Sequence, residues 1–171
     1  MFKRTSLRPL RAAAAFALVS GALTAATLPA HAEGVFFVDV QIRTGGDDLR
    51  GNDDNAFIEI RFGNPELGWQ SSIVQINEDD QPIRDYTTTR LTVRPPADGY
   101  DIEDIQSVRI YVEGFTGGFD GDNWNVDAIN VLAYAEVGDA VISRTVMNEF
   151  ASPLIRFTGD NHEFIRFFEW E

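Results

Sequence analysis

The chain contains no cysteine, a single lysine and two histidines among its 171 residues. Without cysteine it forms no disulfide bond, no thiolate metal site and no cysteine nucleophile. His162 is the only histidine after residue 32, so a zinc site built from a histidine cluster is not expected either. The folded domain must therefore be held together by packing alone, or by packing together with a metal of another class.

Positive charge is also scarce. The chain has 14 lysine and arginine residues against 27 aspartate and glutamate residues, which gives a net charge of −13. This balance disfavours nucleic acid and anionic lipid headgroups as direct electrostatic partners. Divalent cations, basic partners and neutral polysaccharides stay open, and acidity by itself also keeps a protein soluble.

The first 32 residues are typical of a secretory signal peptide. Four basic residues precede an apolar stretch, Ala12–Leu28, and Ala30-His31-Ala32 matches a cleavage site. A membrane anchor is disfavoured because the stretch is short, rich in alanine and not followed by a stop-transfer charge. We therefore predict a secreted protein with one domain from Glu33 to Glu171. Its net charge after cleavage is 10 − 27 = −17, since the signal removes four basic residues and no acid.

After the signal, apolar and polar residues alternate with a period of two, which predicts β-strands. Strands are predicted at 36–43, 56–62, 69–77, 86–93, 107–113 and 124–134, a helical turn at 102–105, a short strand at 141–147, and a final pair formed by 154–157 and 164–168. Seven or eight short strands with frequent turns indicate an antiparallel β-sandwich. The inward faces of four strands are predicted to be Val38, Val40, Ile42; Ile58, Ile60, Phe62; Val108, Ile110, Val112; and Ile129, Val131, Ala133.

Two acidic, glycine-rich loops lie between these strands, at 44–55 and 114–123. Calcium takes about six to eight oxygen ligands, which a few side chains from each loop, backbone carbonyls and water would supply. Crowded carboxylates repel one another and a cation relieves that repulsion. The alternative is that these residues serve turns by bonding nearby backbone amides. The candidate ligands are Asp47, Asp48, Asp53, Asp54, Asn55, Asp120, Asp122 and Asn123.

Apolar residues within the loops are candidate contacts with a partner. Leu49 lies in the first loop, and Phe115 and Phe119 lie in the second. Once calcium neutralises the acids, such residues could insert into a membrane interface; the alternative is that they fold back over the end of the sandwich. Trp124 directly follows the second loop and is predicted to be a core residue that anchors the loop to the sheet.

The stretch Thr44–Ile60 resembles the start of a PLAT (lipoxygenase-homology) domain, in which a strand, Thr-Gly, a polar loop, Gly-Thr-Asp and a second strand follow one another. The Gly-Thr-Asp step is Gly51-Asn52-Asp53 here. The resemblance covers roughly residues 36–134 and implies an eight-stranded antiparallel sandwich that binds lipid or protein partners, with calcium in these loops in some members. The second landmark of the family is a strand followed by Asp-Asn, a tryptophan and a closing strand. The segments Ile105–Ile110, Asp122-Asn123-Trp124 and Ile129–Val131 resemble it.

Catalysis finds little support in the sequence. A Ser–His–Asp site would need His162, which is predicted to be an exposed turn residue, and no nucleophile motif surrounds any serine. The leading hypothesis is a secreted, non-enzymatic module in which calcium orders the acidic loops for a lipid or protein partner. One alternative is a carbohydrate-binding module with a structural calcium, with Tyr86, Tyr111 and Tyr134 on one sheet face. A small hydrolase with two carboxylates in a cleft is the third hypothesis.

Overall fold

In the computed structural model, which describes residues 34–50, 54–77, 81–114 and 123–170, nearly all regular structure is β-strand. A 3-10 turn, Ile102–Asp104, precedes the fifth strand. Within the described ranges no helix is long and apolar enough to cross a membrane. The strands are β1 (Gly34–Thr44), β2 (Asn55–Asn64), β3 (Gly68–Gln75), β4 (Thr88–Val93), β5 (Ile105–Glu113), β6 (Trp124–Val137), β7 (Ala140–Phe157) and β8 (Glu163–Phe167).

The strands form two four-stranded sheets. The first sheet has the order β4-β1-β6-β7 and the second has the order β3-β2-β5-β8. Every neighbouring pair is antiparallel. The predicted antiparallel β-sandwich is therefore confirmed. Because β1 and β2 belong to different sheets, as do β5 and β6, each acidic loop crosses from one sheet to the other.

The core lies between the two sheets, where the alternation of the sequence predicted it. All twelve residues predicted to face inward are buried, with 5% or less of their surface exposed. They come from β1 and β6 of the first sheet and from β2 and β5 of the second, which are the central strands. A period-two pattern marks one face of a strand, and central strands bury that face completely.

The C-terminal tail pairs differently from the prediction. Residues 154–157 do not pair with 164–168; they form the end of β7 and pair with β6, whereas β8 pairs with β5 in the other sheet. The predicted short strand at 141–147 is part of the same 18-residue β7. The reason is that β6, at 14 residues, offers a partner along its whole length. Two register shifts, between Val126 and Ala128 and between Val131 and Leu132, take up the extra residues of β7.

Candidate functional site

The two acidic loops leave the sandwich side by side. β1 ends and β6 begins at one base of the loops, where Thr44 lies opposite Val126. β2 begins and β5 ends at the other base, where Asn55 lies opposite Glu113. We call this end of the sandwich, at which the loops 45–54 and 114–123 are attached, the loop end. In each sheet, the strand that holds one loop is therefore the neighbour of the strand that holds the other loop.

Backbone hydrogen bonds tie the first loop to the start of β6. The amide of Gly45 donates to the carbonyl oxygen of Asn125 at 2.8 Å, and the amide of Asn125 donates to the carbonyl oxygen of Asp47 at 3.0 Å. An ideal Cβ on Gly45 would lie 2.4 Å from Oδ1 of Asp127, so no larger residue fits there without a shift. The position of Asp47 is thus coupled to the end of the second loop.

Trp124 anchors this junction from below. Its side chain is fully buried and stacks on Phe157, with ring centroids 5.3 Å apart. Its Nε1 donates to Oγ1 of Thr44 at 3.2 Å, which links the start of β6 to the end of β1. The prediction that Trp124 is a core residue holding the loop to the sheet is confirmed.

Leu49 is buried, which corrects its prediction as a partner contact. Its side chain has no exposed surface. Its amide donates to the carbonyl oxygen of Ile83 at 3.0 Å, and the amide of Ile83 donates back to Leu49 at 2.8 Å. An apolar side chain within a loop of acids gains most by folding over the end of the core. Leu49 therefore fixes the middle of the first loop.

The predicted ligands of the first loop have different surroundings. Oδ2 of Asp47 accepts a hydrogen bond from Nη2 of Arg156 at 3.1 Å, and Asp48 beside it is half-buried. Oδ1 of Asn55 accepts from Nε2 of Gln75 at 2.9 Å, so this oxygen already has a structural partner. Among the described residues, no three histidine, cysteine, aspartate or glutamate side chains lie close enough together to hold a metal.

The remaining predicted ligands lie mostly outside the described residues. This holds for Asp53, Asp120 and Asp122, and for the contact candidates Phe115 and Phe119. Asn123 is described and directly precedes β6 at the loop end. The calcium site therefore stays a prediction, and the structure describes only the strand ends to which the two loops are attached.

Asn77 organises the base of the first loop and was not singled out by the sequence. It is 3% exposed, its Oδ1 accepts from the amide of Ala56 at 2.8 Å, and its Nδ2 donates to the carbonyl oxygen of Asp54 at 2.9 Å. Its position just after an apolar run in an acidic turn was the available signal, since asparagine side chains satisfy backbone groups at such turns.

Two buried or strained polar groups mark the same end. Oδ1 of Asn125 is buried and has no hydrogen-bond partner in the described part of the chain. Tyr86 has a positive φ of 55°, which is uncommon for a residue other than glycine. Its amide donates to the carbonyl oxygen of Gly45 at 3.0 Å, and its side chain is 68% exposed. Tyr86 is thus an aromatic residue held at the surface beside the first loop.

The three tyrosines proposed for a carbohydrate face do not share one. Tyr86 lies at the loop end, Tyr111 lies on the outer face of the second sheet, and Tyr134 stacks on Phe37 of the first sheet at 4.4 Å. None of the three belongs to the core. A platform composed of these three residues is therefore excluded by their placement.

His162 lies in the turn between β7 and β8. Its side chain is exposed, as predicted, and its carbonyl oxygen accepts from the amide of Val112 at 2.9 Å. The residue therefore has a backbone role in joining the turn to β5.

Comparisons with known proteins concern the fold. The chain is similar to the alpha-toxin of Clostridium perfringens from an avian strain, with 21% identity and a TM-score of 0.48, covering 70% of this chain and 32% of the toxin. It is similar to the Clostridium absonum alpha toxin, with 16% identity, a TM-score of 0.46, and coverage of 67% and 32%. The third structure is coral 8R-lipoxygenase, described as activated by calcium through a C2-like domain, with 20% identity, a TM-score of 0.40, and coverage of 77% and 16%.

The chain thus spans about a third of the toxins and about a sixth of the lipoxygenase. At these identities and TM-scores the likeness extends to the fold alone. No protein-family model and no curated protein matches the sequence. The predicted antiparallel β-sandwich is confirmed by the two sheets, and the resemblance to PLAT domains extends to this fold and not to a function.

Proposed function

We propose that this chain is a secreted, non-enzymatic binding module that docks on a lipid surface through its loop end, with calcium held between the acidic loops. The observation that carries the proposal is the pairing of both loop bases, Thr44 with Val126 and Asn55 with Glu113. Candidate ligands that are distant in sequence are attached side by side. Oxygen atoms from both loops can then reach one ion without a change of fold.

The charge of the chain supports calcium as the link to lipid. At a net charge of −17 after the predicted cleavage, the exported form is repelled by anionic headgroups. A divalent cation bound by loop carboxylates reverses the local charge and can also accept phosphate oxygens as ligands. The buried Oδ1 of Asn125, next to the backbone that holds Asp47, is an oxygen that supports a cation rather than an anion at this junction.

Exposed aromatic surface at the loop end supports the lipid partner. Tyr86 has an apolar ring and a polar tip, a combination enriched at membrane interfaces. Its positive φ costs free energy, and the hydrogen bond from its amide to Gly45 helps to hold the backbone in this conformation. Phe115 and Phe119 of the second loop remain predicted contacts.

A calcium titration of thermal stability tests the ion. Calcium at millimolar concentration should raise the Tm of the exported form, because a ligand that binds only the folded state stabilises it. The double variant Asp47→Asn with Asp48→Asn should lose most of this rise. Arg156→Gln should shift the titration to lower calcium concentration, since it removes the cation that now pairs with Asp47. An unchanged Tm in the unmodified protein would count against the proposal.

Flotation with vesicles tests the partner. Vesicles containing phosphatidylserine should carry the protein upward with calcium and leave it behind with a chelator, and Tyr86→Ala should weaken the association. Asp139→Asn, in the exposed turn between β6 and β7 at the opposite end of the sandwich, is the control for the change of charge in the variant of Asp47 and Asp48. A calcium-dependent rise in Tm without flotation would replace the lipid by a protein or polysaccharide partner. The mass of the protein recovered outside the cell checks the predicted start at Glu33.

A further inference from the structure

A second surface, far less acidic than the chain as a whole, lies on the outer face of the second sheet. Four of the outward residues of β2 and β5, namely Glu59, Arg61, Ser107 and Arg109, form a polar strip, which ends toward the loop end at the stacked pair Phe57 and Tyr111. Apolar side chains border the strip on both edge strands, with Trp69 and Ile73 on β3 and Ile165 and Phe167 on β8. We call this surface, defined by the four residues of the strip and these four apolar residues, the outer platform.

The polar strip is held in place by ion pairs. Arg109 donates from Nη1 to Oε2 of Glu59 at 3.2 Å and from Nη2 to Oε2 of Glu163 at 2.8 Å, and its guanidinium lies 4.4 Å from the ring centroid of Tyr111. Although partial burial alone would lower it, the hydrogen bonds to Glu163 and Glu59 raise the pKa of Arg109. The guanidinium and the two carboxylates are thus held together on the sheet face, and their charges cancel when Arg61 is included.

The rims are exposed. The ring of Trp69 lies close to Gly63 of β2, where an ideal Cβ would be 2.8 Å from it, and the guanidinium carbon of Arg61 lies 4.8 Å from its centroid. Trp69 is nevertheless 64% exposed, and Phe167 on the other rim is 69% exposed. The rims are three strand spacings apart, roughly 14 Å. A groove of about 230 Å³ runs between the strip and the rim formed by Ile165 and Phe167.

The distribution of polarity decides which partner fits. Protein interfaces have an apolar centre and a polar rim, and the outer platform has the reverse arrangement. Pressing it against a membrane or an apolar protein surface would strip water from the network formed by Glu59, Arg109 and Glu163. A sugar chain has the matching pattern, because its ring faces are apolar and pack on aromatic rings, while its hydroxyl groups bond in pairs to carboxylates and guanidinium groups.

We propose that the outer platform binds a neutral polysaccharide, with Trp69 and Phe167 stacking on sugar rings and Arg109, Glu59 and Arg61 bonding to hydroxyl groups between them. The near-zero charge of the platform, on a chain of −13, suits an uncharged ligand. The site is separate from the loop end and needs no calcium.

Retention on insoluble polysaccharides tests the proposal. The full exported chain is incubated with cellulose, chitin, starch granules and insoluble xylan in the presence of a chelator, which removes calcium from the loop end. Binding to at least one polymer is expected. Trp69→Ala and Phe167→Ala should each weaken it by about tenfold, whereas Trp69→Phe should keep most of it. Unchanged Tm values for these exposed positions verify that the variants are folded.

Phe150→Ala is the matched control, because Phe150 is 81% exposed but lies on β7 of the first sheet. Its binding should equal that of the unmodified protein. Absence of retention on all four polymers overturns the proposal, and so does equal loss in Phe150→Ala and Phe167→Ala. A concentration-dependent dimer that Trp69→Ala abolishes, without retention, would assign the platform to a second copy instead. Since the chelator is present throughout, none of these results bears on the calcium-dependent docking.

Discussion

Aspartates are found at both ends of the sandwich, and their partners differ. At the end opposite the loops, Oδ2 of Asp104 accepts from Nδ2 of Asn64 at 2.7 Å and from the amide of Asp101 at 2.9 Å, and the two aspartates form a capping box on the 3-10 turn. At the loop end, Asp47 pairs instead with Arg156 of β7. Asp104 therefore stabilises the 3-10 turn. Asp47 has only an ion pair on the surface, and its carboxylate can exchange that pair for a bound cation.

The largest expected effect contrasts a leucine at each end. Leu49→Ala should lower the free energy of unfolding by about 3 kcal/mol, because the side chain is fully buried and its loss leaves a cavity. Leu67→Ala, in the turn of the opposite end, removes a side chain that is 38% exposed and should cost about 0.5 kcal/mol or less. Chemical denaturation measures both values, and similar costs would remove the anchoring role given to Leu49.

Next in size is a contrast between two glycines. Gly45→Ala should destabilise the protein by about 1–3 kcal/mol, since the added Cβ overlaps Oδ1 of Asp127. Gly34→Ala, at the start of β1, meets nothing within 4 Å and should be nearly neutral. Thermal unfolding of the two variants is the measurement. A neutral Gly45→Ala would mean that the junction between the first loop and β6 adjusts freely.

The aspartates themselves give a smaller effect. In a chelator, Asp104→Ala should cost about 1–2 kcal/mol through the lost capping interactions. Asp47→Ala should cost about 0.5 kcal/mol, because its pair with Arg156 is exposed. Added calcium should raise the Tm of Asp104→Ala and have little effect on the Tm of Asp47→Ala, because only the second variant lacks a proposed ligand. A reversed order in the chelator would show that Asp47 is the structural acid.

The smallest effect is a titration close to the loop end. Burial, followed by the charges of Glu113 and Glu59 and offset in part by Arg109, raises the pKa of Tyr111. The neutral phenol is thereby favoured in the folded state, and this contribution is complete below about pH 10 and lost as pH rises through the raised pKa. The tyrosinate absorbance that disappears in Tyr111→Phe reports the pKa. Glu113→Gln should lower this pKa, and an unaltered value would assign the shift to burial and Glu59.

Predictability from the sequence followed the strength of the local pattern. Residues such as Val40 and Ile110 were placed inward correctly, because alternation is a property of the strand itself. The pairing of 154–157 was predicted wrongly, because two short apolar runs joined by a turn look like a hairpin whether or not a longer partner exists elsewhere. That partner is β6, and the residues near 154 carry no sequence pattern that indicates this pairing.

The candidate site divides in the same way. The acidic loops and the anchoring by Trp124 were predicted, since their composition and position are local features. The burial of Leu49 was one of two alternatives that the sequence left open, and the structural role of Asn77 was missed, because each depends on a partner remote in sequence, Ile83 for the one and Ala56 for the other. The exposed rim of Trp69 was missed because a tryptophan in a strand is equally typical of a core.

By itself the sequence determined the class of fold, the inward faces of the central strands, the acidity and the absence of cysteine chemistry, because each is set by residue type and a period of two. Only the tertiary structure decided that both acidic loops are attached at one end, that Leu49 closes the core, and that Trp69, Arg109 and Phe167 share one face. The physical reason is that strand order depends on hydrogen bonds and packing between segments distant in sequence. The free energy that favours one order over another is spread over the whole sandwich and is not found in any one segment.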